Sequence, residues 1–434
     1  MKKKSKDFIT LKTMRTEHLI SLFCFFSLIS GCANYLYKLD EKKWDKNLIV
    51  VKNPPLCENF KSKYNFFGEN KDSVAIINEF FQQKFANLNL EEAAVLWSLI
   101  QLKIRPDLFN PMSRLQIFKV KNDTPEYYDF SSSNKEASPL LHGLNTFLAK
   151  NGSKFTLSRL SRMLLEYESI QIPIGDGFSE FIQAKKSELK NNPIFYRNYF
   201  KAGLEIRKGE SLPTLSYTNM LDNIYKIKDD KEYIINTLLF SGNQSNYSYA
   251  CNFDLNLYKK GIYLISEQPH PESWSIGISD QNGNHIFVVA GNTFKGLNPI
   301  QNSYFITPEL STVTTPKKFC FIKNQKNKMT IISTKGRDPA QHLYHIMNYD
   351  ILNSDNLKEA QEYINFPRHL FLQNPNRMLY ESEKGSPEQL SNFLKLDFPL
   401  YHKQNLGLVY GHGNVLGKNS FLLDHRGPAV VSCQ

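Results

Sequence analysis

The segment PHPESWSIGISDQNGNHIFVVAGN, residues 269–292, carries a serine at a position where serine can act as a nucleophile. Ser273 stands directly before alternating apolar and small residues, and Asn282-Gly283 then turns the chain into a second strand, His285–Ala290. A hydroxyl group at the start of such a strand can attack an amide carbonyl when a nearby base takes its proton. A plain loop serine before a hairpin is the simpler interpretation, so the rest of the chain must decide between them.

Two helices are predicted ahead of this hairpin. Apolar residues at helical spacing predict a helix over Asp72–Phe85. A second helix is predicted to begin at Asn89, because Glu92 stands at the position that completes a capping box. Arg105-Pro106 is expected to end it, since proline lacks the amide hydrogen that a helix needs.

Alternating patterns predict strands through much of the remaining chain. Helical patterns return after the strand-rich middle, so we expect an α+β fold with mixed or antiparallel sheets. The predicted strands are Arg114–Val120, Tyr127–Phe130, Ile262–Ile265, Phe319–Lys323, Lys328–Ser333, Leu406–Tyr410 and Ser420–Leu423, and the later helices are Pro339–Asp350 and Ser354–Ile364.

The charge of the chain is basic but diffuse. The 434 residues carry a formal net charge of +11, with 41% hydrophobic and 22% charged residues. Residues 1–18 hold six Lys and Arg against one Asp and one Glu, and the remaining excess forms no stripe. This distribution argues against nucleic acid as a partner.

The N-terminus has the pattern of a bacterial lipoprotein signal. A basic region leads into the apolar run Leu19–Ser30, which is too short to span a bilayer and is followed by Gly31 and Cys32. This order favours acylation of Cys32 over an ordinary buried cysteine, and Ala33 after it points to the outer membrane. We therefore predict a signal peptide over 1–31, a tether over 32–64, a folded domain over 65–434 and a cell-envelope or cell-surface location.

The remaining chemistry-bearing residues give weaker signals. Four later cysteines lack zinc-site spacing, and one or two disulfides are possible with the pairing left open: Cys57, Cys251, Cys320 and Cys433. His342 and His345 lie one helical turn apart, but no third ligand stands at metal spacing, so packed histidines are expected. The glycines of GHGNVLG, residues 411–417, are typical of a turn rather than of a phosphate-binding loop. No metal or cofactor is predicted.

Several segments, in order, resemble the gamma-glutamyltransferase family. LNLEEAAVLWSLIQLKIRPDLFNPMSRLQIFKVKNDTPEYYDFSS is similar to the family's N-terminal region, and SWSIGISDQNGNHIFVV to the strand that starts with its catalytic threonine. KEAQEYINFPRHLFLQNPNRMLYE and LLDHRGPAV resemble two later motifs. The resemblance implies the four-layer αββα sandwich of N-terminal-nucleophile (Ntn) hydrolases, with 65–260 large-subunit-like and 273–434 small-subunit-like.

The resemblance also assigns positions in a site. Ser273 stands where the family has its threonine nucleophile. Gly336 and Arg337 stand where backbone amides of the family stabilise the oxyanion. The substrate-binding positions would be Ser131, Asn292, Ser311 and Thr312.

Two departures from the family weaken the case for catalysis. Ser131 replaces the arginine that would hold a substrate carboxylate, and a long segment before the nucleophile is nearly absent. We therefore predict a membrane-tethered lipoprotein with weak or lost catalysis that binds a small-molecule or protein ligand. The alternative is an active gamma-glutamyl hydrolase or transferase of glutathione-type substrates, with Ser273 as N-terminal nucleophile after self-cleavage.

Overall fold

A computed structural model describes most of the chain beyond residue 55. The described residues are 56–57, 62–69, 71–76, 82–131, 138–168, 170–171, 173–212, 239–244, 246–259, 272–292, 297–299, 306–308, 317–336, 338–349, 351–373, 376–381, 387–396 and 398–432. They all belong to a unit spanning Asn53–Gln434. The predicted signal peptide, Cys32, the strand Ile262–Ile265 and Cys433 lie outside the described residues.

The helices and strands are labelled here in chain order. The helices are α1 Lys71–Ile76, α2 Gln82–Ala86, α3 Leu90–Ile104, α4 Pro139–Lys150, α5 Leu157–Arg162, α6 Leu165–Glu168, α7 Asp176–Ala184, α8 Lys186–Lys190, α9 Pro193–Tyr199, α10 Asn256–Lys259, α11 Pro339–Asn348, α12 Leu357–Ile364 and α13 Pro387–Leu394, with a 3-10 turn at Ile351–Asn353. The strands are β1 Tyr64–Gly68, β2 Arg114–Lys121, β3 Thr124–Phe130, β4 Phe200–Lys201, β5 Leu204–Glu205, β6 Phe240–Asn243, β7 Ser248–Cys251, β8 Glu272–Asp280, β9 His285–Asn292, β10 Leu297–Pro299, β11 Ile306–Pro308, β12 Lys318–Lys323, β13 Asn327–Gly336, β14 His369–Leu372, β15 Arg377–Tyr380, β16 Leu400–His402, β17 Gly407–Val415, β18 Lys418–Leu422 and β19 Val430–Val431.

Helix α3 begins as its sequence predicts. The Asn89 side chain accepts from the Glu92 amide at 2.7 Å, and the Glu92 carboxylate accepts from the Asn89 amide at 3.0 Å. The helix ends at Ile104, just before Arg105-Pro106, and every one of its residues is buried. The predicted helix Asp72–Phe85 is seen as α1 and α2, and residues 77–81 between them lie outside the described part.

Two six-stranded antiparallel sheets dominate the described residues. Sheet 1 has the order β19-β1-β8-β9-β2-β3, and sheet 2 has the order β18-β17-β13-β12-β7-β6. The predicted hairpin is confirmed as β8 and β9, which pair from Ser279 with His285 to Glu272 with Asn292. Gly283 in its turn has φ +81°, a conformation that suits glycine. Each sheet combines strands from both halves of the chain, so the predicted halves 65–260 and 273–434 fold together.

Three hydrophobic clusters account for most of the core. One joins helices α3 to α9 to strands of sheet 1, with Trp97, Phe147 and Ile276 among its members. A second contains residues of both sheets, including Phe287 and Phe421, whose ring centroids are 5.5 Å apart. A third joins α11 and α12 to sheet 2. Among the described residues, no helix combines the length and the apolar character needed to span a bilayer.

One disulfide links neighbouring strands of sheet 2. Cys251 of β7 stands opposite Cys320 of β12, and their sulfurs are bonded. Cys57 is also disulfide-bonded. The pairing of Cys251 with Cys320 settles part of what the sequence left open.

Candidate functional site

Ser273 is a fully buried residue inside a regular strand. It is the second residue of β8 and stands opposite Gly291, while Glu272 before it stands opposite Asn292. Its hydroxyl donates a hydrogen bond to the carbonyl of Thr334 in β13, with an oxygen–oxygen distance of 2.5 Å. Thr334 lies where the register of β13 shifts between Ser333 and Lys335. Such a bulge frees one residue from the ladder, which leaves the Thr334 carbonyl available to a partner in sheet 1.

The two residues after Ser273 fasten this end of β8 to its surroundings. The Trp274 indole donates to the Gln101 side chain of α3 at 3.0 Å, and the Arg105 guanidinium lies 4.7 Å from the centre of the Trp274 ring. The Ser275 amide donates to the buried carboxylate of Glu69 at 3.0 Å. The first contact ties the strand to the helix layer and the second to the segment after β1, and together they hold Ser273 in one place.

Charged side chains surround the Ser273 end of the two sheets. We call Glu69, Arg114, Asp129, Lys317 and Lys335 the charged cluster. The Lys335 ammonium lies 3.6 Å from the Glu69 carboxylate, and Arg114 forms a bidentate pair with Asp129 at 2.7 and 2.5 Å. Sequence reasoning did not single out these residues, although Arg114 lies in a segment that carried the family resemblance.

Lys317 is the most perturbed member of the charged cluster. Its backbone amide donates to the Gln116 side chain at 2.8 Å, which ties it to sheet 1. The pKa of Lys317 is lowered from 10.5 to about 7, mainly by burial. The positive charges of Lys335 and Arg114 lower this pKa further, and the Glu69 carboxylate acts in the opposite direction. Lys317 directly precedes β12, and side chains two residues apart in a strand lie on the same face, so Lys317 shares the face of the buried Phe319 and Phe321. This alternation is the sequence signal that could have identified Lys317 as buried.

Ser131 lies at the end of β3, half-buried, where the resemblance places a substrate-binding arginine. Because Leu115 of β2 stands opposite Phe130, Arg114 lies next to Ser131 in the sheet. An arginine therefore lies near the position where the resemblance expects the substrate-binding arginine, but its guanidinium is already paired with Asp129. Asn292 ends β9 beside Glu272.

The predicted oxyanion position is only partly described. Gly336 ends β13 with φ +125° and faces Gly407, and a Cβ added at Gly336 would lie 2.7 Å from the Leu406 carbonyl oxygen. Close approach of the two strands therefore requires glycine there, whatever its chemical role. Three other predicted site residues, Arg337, Ser311 and Thr312, lie outside the described residues.

The histidine pair of α11 is packed, as the sequence suggested. His342 contacts the Leu406 carbonyl at 3.0 Å, and burial, together with nearby Arg368, lowers its pKa to about 3. His345 stacks on His369 with ring centroids 3.7 Å apart. Within the described ranges, no three His, Cys, Asp or Glu side chains converge so as to hold a metal ion.

Two motifs of the resemblance meet in a buried ion network. Arg368 of the PRH segment donates to Asp424 at 2.5 Å, and Arg426 of the DHRG segment donates to Asp424 at 2.9 Å and to Glu381 at 2.6 Å. Burial opposes the charge of Asp424, but the two arginines prevail and hold the pKa of that carboxyl well below its usual range. The network connects Arg368 before β14, Glu381 after β15, and Asp424 and Arg426 after β18; Asp424 also accepts from the Val409 amide of β17. These motif residues therefore stabilise the fold.

The comparisons with known proteins establish the type of fold. No protein-family model matches the sequence, and no curated protein matches it significantly. The solved structures that it resembles are Ntn-hydrolase-type enzymes. LmbA2991HD matches at a TM-score of 0.64 and 8% identity over 88% of this chain and 99% of that chain.

Two further solved structures resemble all or part of the chain. Cephalosporin acylase from Bacillus halodurans matches at a TM-score of 0.59 and 10% identity over 88% of this chain and 97% of that chain. Gamma-glutamyltranspeptidase from Helicobacter pylori matches 42% of this chain and 66% of that chain at 12% identity, with a TM-score of 0.33 that is too low to bear on the fold. At these identities the matches show a shared fold and leave the reaction open.

Proposed function

We propose that the protein is a membrane-tethered lipoprotein whose Ntn-hydrolase-type domain binds a ligand and has lost most or all of its catalytic activity. The single observation that carries this proposal is the hydrogen bond from the Ser273 hydroxyl to the Thr334 carbonyl. In the intact chain Ser273 has no free amine to act as its base, and a backbone carbonyl cannot accept its proton at neutral pH. Among the described residues, this carbonyl is the hydrogen-bond partner of the Ser273 oxygen.

The backbone on the N-terminal side of Ser273 also disfavours self-cleavage. Self-cleavage would bring the Ser273 oxygen against the preceding carbonyl, that of Glu272. Glu272 instead takes part in the ladder with Asn292, and the proton of the Ser273 hydroxyl is directed to sheet 2. Attack on a peptide bond needs the reacting atoms placed to about half an ångström, and a hydroxyl engaged with Thr334 is directed elsewhere.

The order of the hydrophobic clusters supports the four-layer αββα sandwich as the architecture of this domain. Helices pack on sheet 1, sheet 1 packs on sheet 2, and sheet 2 packs on a second group of helices. In such a sandwich the Ser273 end of the two sheets would be the ligand-binding end. The charged cluster would then contact a polar small molecule or a protein segment there.

Tethering through Cys32 remains a proposal from the signal sequence. The disulfide between Cys251 and Cys320 supports export, because disulfides persist in oxidising compartments such as the bacterial envelope. Acylation would hold the protein at the outer membrane or the cell surface. Replacing Cys32 with Ala should release the protein from the membrane fraction or block its processing, and a Cys32→Ala protein that is processed and sediments as before would rule out the lipid anchor.

The alternative function is an active gamma-glutamyl hydrolase or transferase. It is favoured by the match to cephalosporin acylase over nearly the whole of both chains, and by the place of Ser273 at the beginning of a central strand. In that case Ser273 would become an N-terminal residue, and its own amine would serve as the base.

An activity assay separates these two functions. We expect purified full-length protein to hydrolyse a chromogenic gamma-glutamyl anilide no faster than the Ser273→Ala variant does. Loss of the carboxylate-binding arginine at position 131 alone should weaken substrate binding many-fold, since a lost charge partner in a closed site costs roughly 2–5 kcal/mol. Clear turnover that disappears in Ser273→Ala would instead establish the enzyme.

A further inference from the structure

A polar cavity lies at the end of the two sheets opposite to Ser273. Its volume is about 340 Å³, which is within the usual range for small-molecule sites. Two hairpin turns of sheet 1 and strands of sheet 2 line it, and asparagines form much of the lining: Asn122, Asn282, Asn284 and Asn414. This site is separate from the proposed function, which concerns the other end of the molecule.

The walls of the cavity are fixed by contacts among themselves. The Asn284 side chain accepts from the Asn122 amide at 2.9 Å and donates to Asp280 at 2.8 Å, so the two hairpin turns of sheet 1 are joined. Lys328 of sheet 2 forms an ion pair with Asp123 of sheet 1 at 2.8 Å. A site whose walls are already positioned loses little freedom when a ligand binds.

A buried histidine forms part of the cavity wall. His412 is 1% exposed, its side chain interacts with that of Asn419, and its Nε2 makes no hydrogen bond of ordinary geometry among the described residues. Its ring stacks on His285 with centroids 4.1 Å apart, and His285 has both nitrogens engaged, with the Gly283 carbonyl at 2.9 Å and the Thr330 hydroxyl at 2.7 Å. Because His412 lines the cavity, a ligand hydroxyl in it could bond to this nitrogen.

The lining selects for a neutral ligand. Burial lowers the pKa of His285 to about 4 and that of His412 well below its ordinary value, so both rings are neutral near pH 7. The charges of Lys328 and Asp123 compensate each other. Asparagine amides both donate and accept hydrogen bonds, as the hydroxyl groups of a ligand do.

We propose that this cavity binds a neutral polyhydroxylated ring, such as a sugar, with His412 and Asn414 as contact residues. The chemistry is the same for a free monosaccharide and for the end of a glycan chain. Titrating the full-length protein with D-glucose, myo-inositol and a cello-oligosaccharide distinguishes them. Equal affinity for glucose and the oligosaccharide would identify the free sugar, and at least roughly tenfold tighter binding of the oligosaccharide would identify the chain end.

Variants of the cavity decide whether the binding occurs there. His412→Phe removes the nitrogen and keeps an aromatic ring, and Asn414→Ala removes one amide at the rim. Each should weaken sugar binding about tenfold, equivalent to about 1.4 kcal/mol, while Asn348→Ala, at an exposed asparagine that does not line the cavity, should leave it unchanged.

Three results would overturn the proposal. They are no binding of any of the three probes, binding of inorganic phosphate in their place, and sugar binding of unchanged strength in Asn414→Ala. If His412→Phe does not fold, Asn414→Ala alone decides, because Asn414 is only half-buried near the end of β17.

Discussion

The hydroxyl of Ser273 in sheet 1 donates to the carbonyl of Thr334 in sheet 2 across an oxygen–oxygen distance of 2.5 Å. Both residues are fully buried, and the bulge in β13 is what presents the carbonyl. The serine that the family resemblance places at the nucleophile position therefore joins the two sheets. Its retention in the sequence can be explained by packing alone, without a catalytic role.

Removing this hydroxyl should destabilise the fold. We expect Ser273→Ala to lower the free energy of unfolding by roughly 1–3 kcal/mol, because the Thr334 carbonyl is left buried without its partner. Ser279→Ala is the matched control: Ser279 is equally buried in the same strand, but its hydroxyl has no partner among the described residues. Urea unfolding should show no decrease in the free energy of unfolding for Ser279→Ala. Equal effects of the two substitutions would mean that the Thr334 contact contributes nothing.

Breaking the buried ion network should have a larger effect. Asp424→Asn leaves Arg368 and Arg426 buried without one of their carboxylates, and removing one partner of a buried pair costs roughly 3–5 kcal/mol. The control is Glu166→Gln, which removes the exposed ion pair with Lys84. Exposed pairs contribute little, so the control should unfold at nearly the same urea concentration as the wild type. A small effect of Asp424→Asn would show that the network is not essential to the fold.

Acid should destabilise the protein through its buried histidines. His342 has a folded-state pKa of about 3, below its ordinary value of 6.5, so at lower pH the unfolded chain binds a proton that the folded chain does not. The stability that this neutral histidine contributes is complete above about pH 6.5 and is lost as the pH falls toward 3. His342→Gln should therefore reduce the slope of unfolding free energy against pH, by up to about 1.4 kcal/mol per pH unit.

The exposed Asn348 provides the control for this prediction. Asn348→Ala removes no titratable group, so it should leave the slope between about pH 6 and pH 4 as it is in the wild type. If His342→Gln and the wild type lose stability in parallel over that interval, His342 is not held neutral in the folded state.

Local features of the fold could be predicted from the sequence. The capping box at Asn89 and Glu92, the hairpin around Asn282-Gly283 and the final strand pair all depend on residues close together in the chain. Turn chemistry and a period of two or 3.6 are sufficient to specify such elements. The succession of helical and strand patterns predicted an α+β fold with mixed or antiparallel sheets, and the structure confirms it.

The surroundings of Ser273 could not be predicted in the same way. Thr334 and Glu69 reach Ser273 and Ser275 from other strands, and neither a bulge nor a contact between sheets leaves a pattern in the sequence. Arg368, Asp424 and Arg426 lie in segments that carried the family resemblance, but the sequence assigned them no role. Only the packing of distant segments brings the two arginines together with Asp424 and Glu381, whose charges balance theirs.

The most direct test of this account is the intact mass of the purified full-length protein. The hydroxyl of Ser273 is engaged with Thr334 and the Glu272–Ser273 bond lies in a strand ladder, so we predict a single polypeptide in which that bond is whole. Two fragments that meet between Glu272 and Ser273, with Ser273 as a free N-terminus and no such cut in Ser273→Ala, would contradict the account and identify Ser273 as a nucleophile.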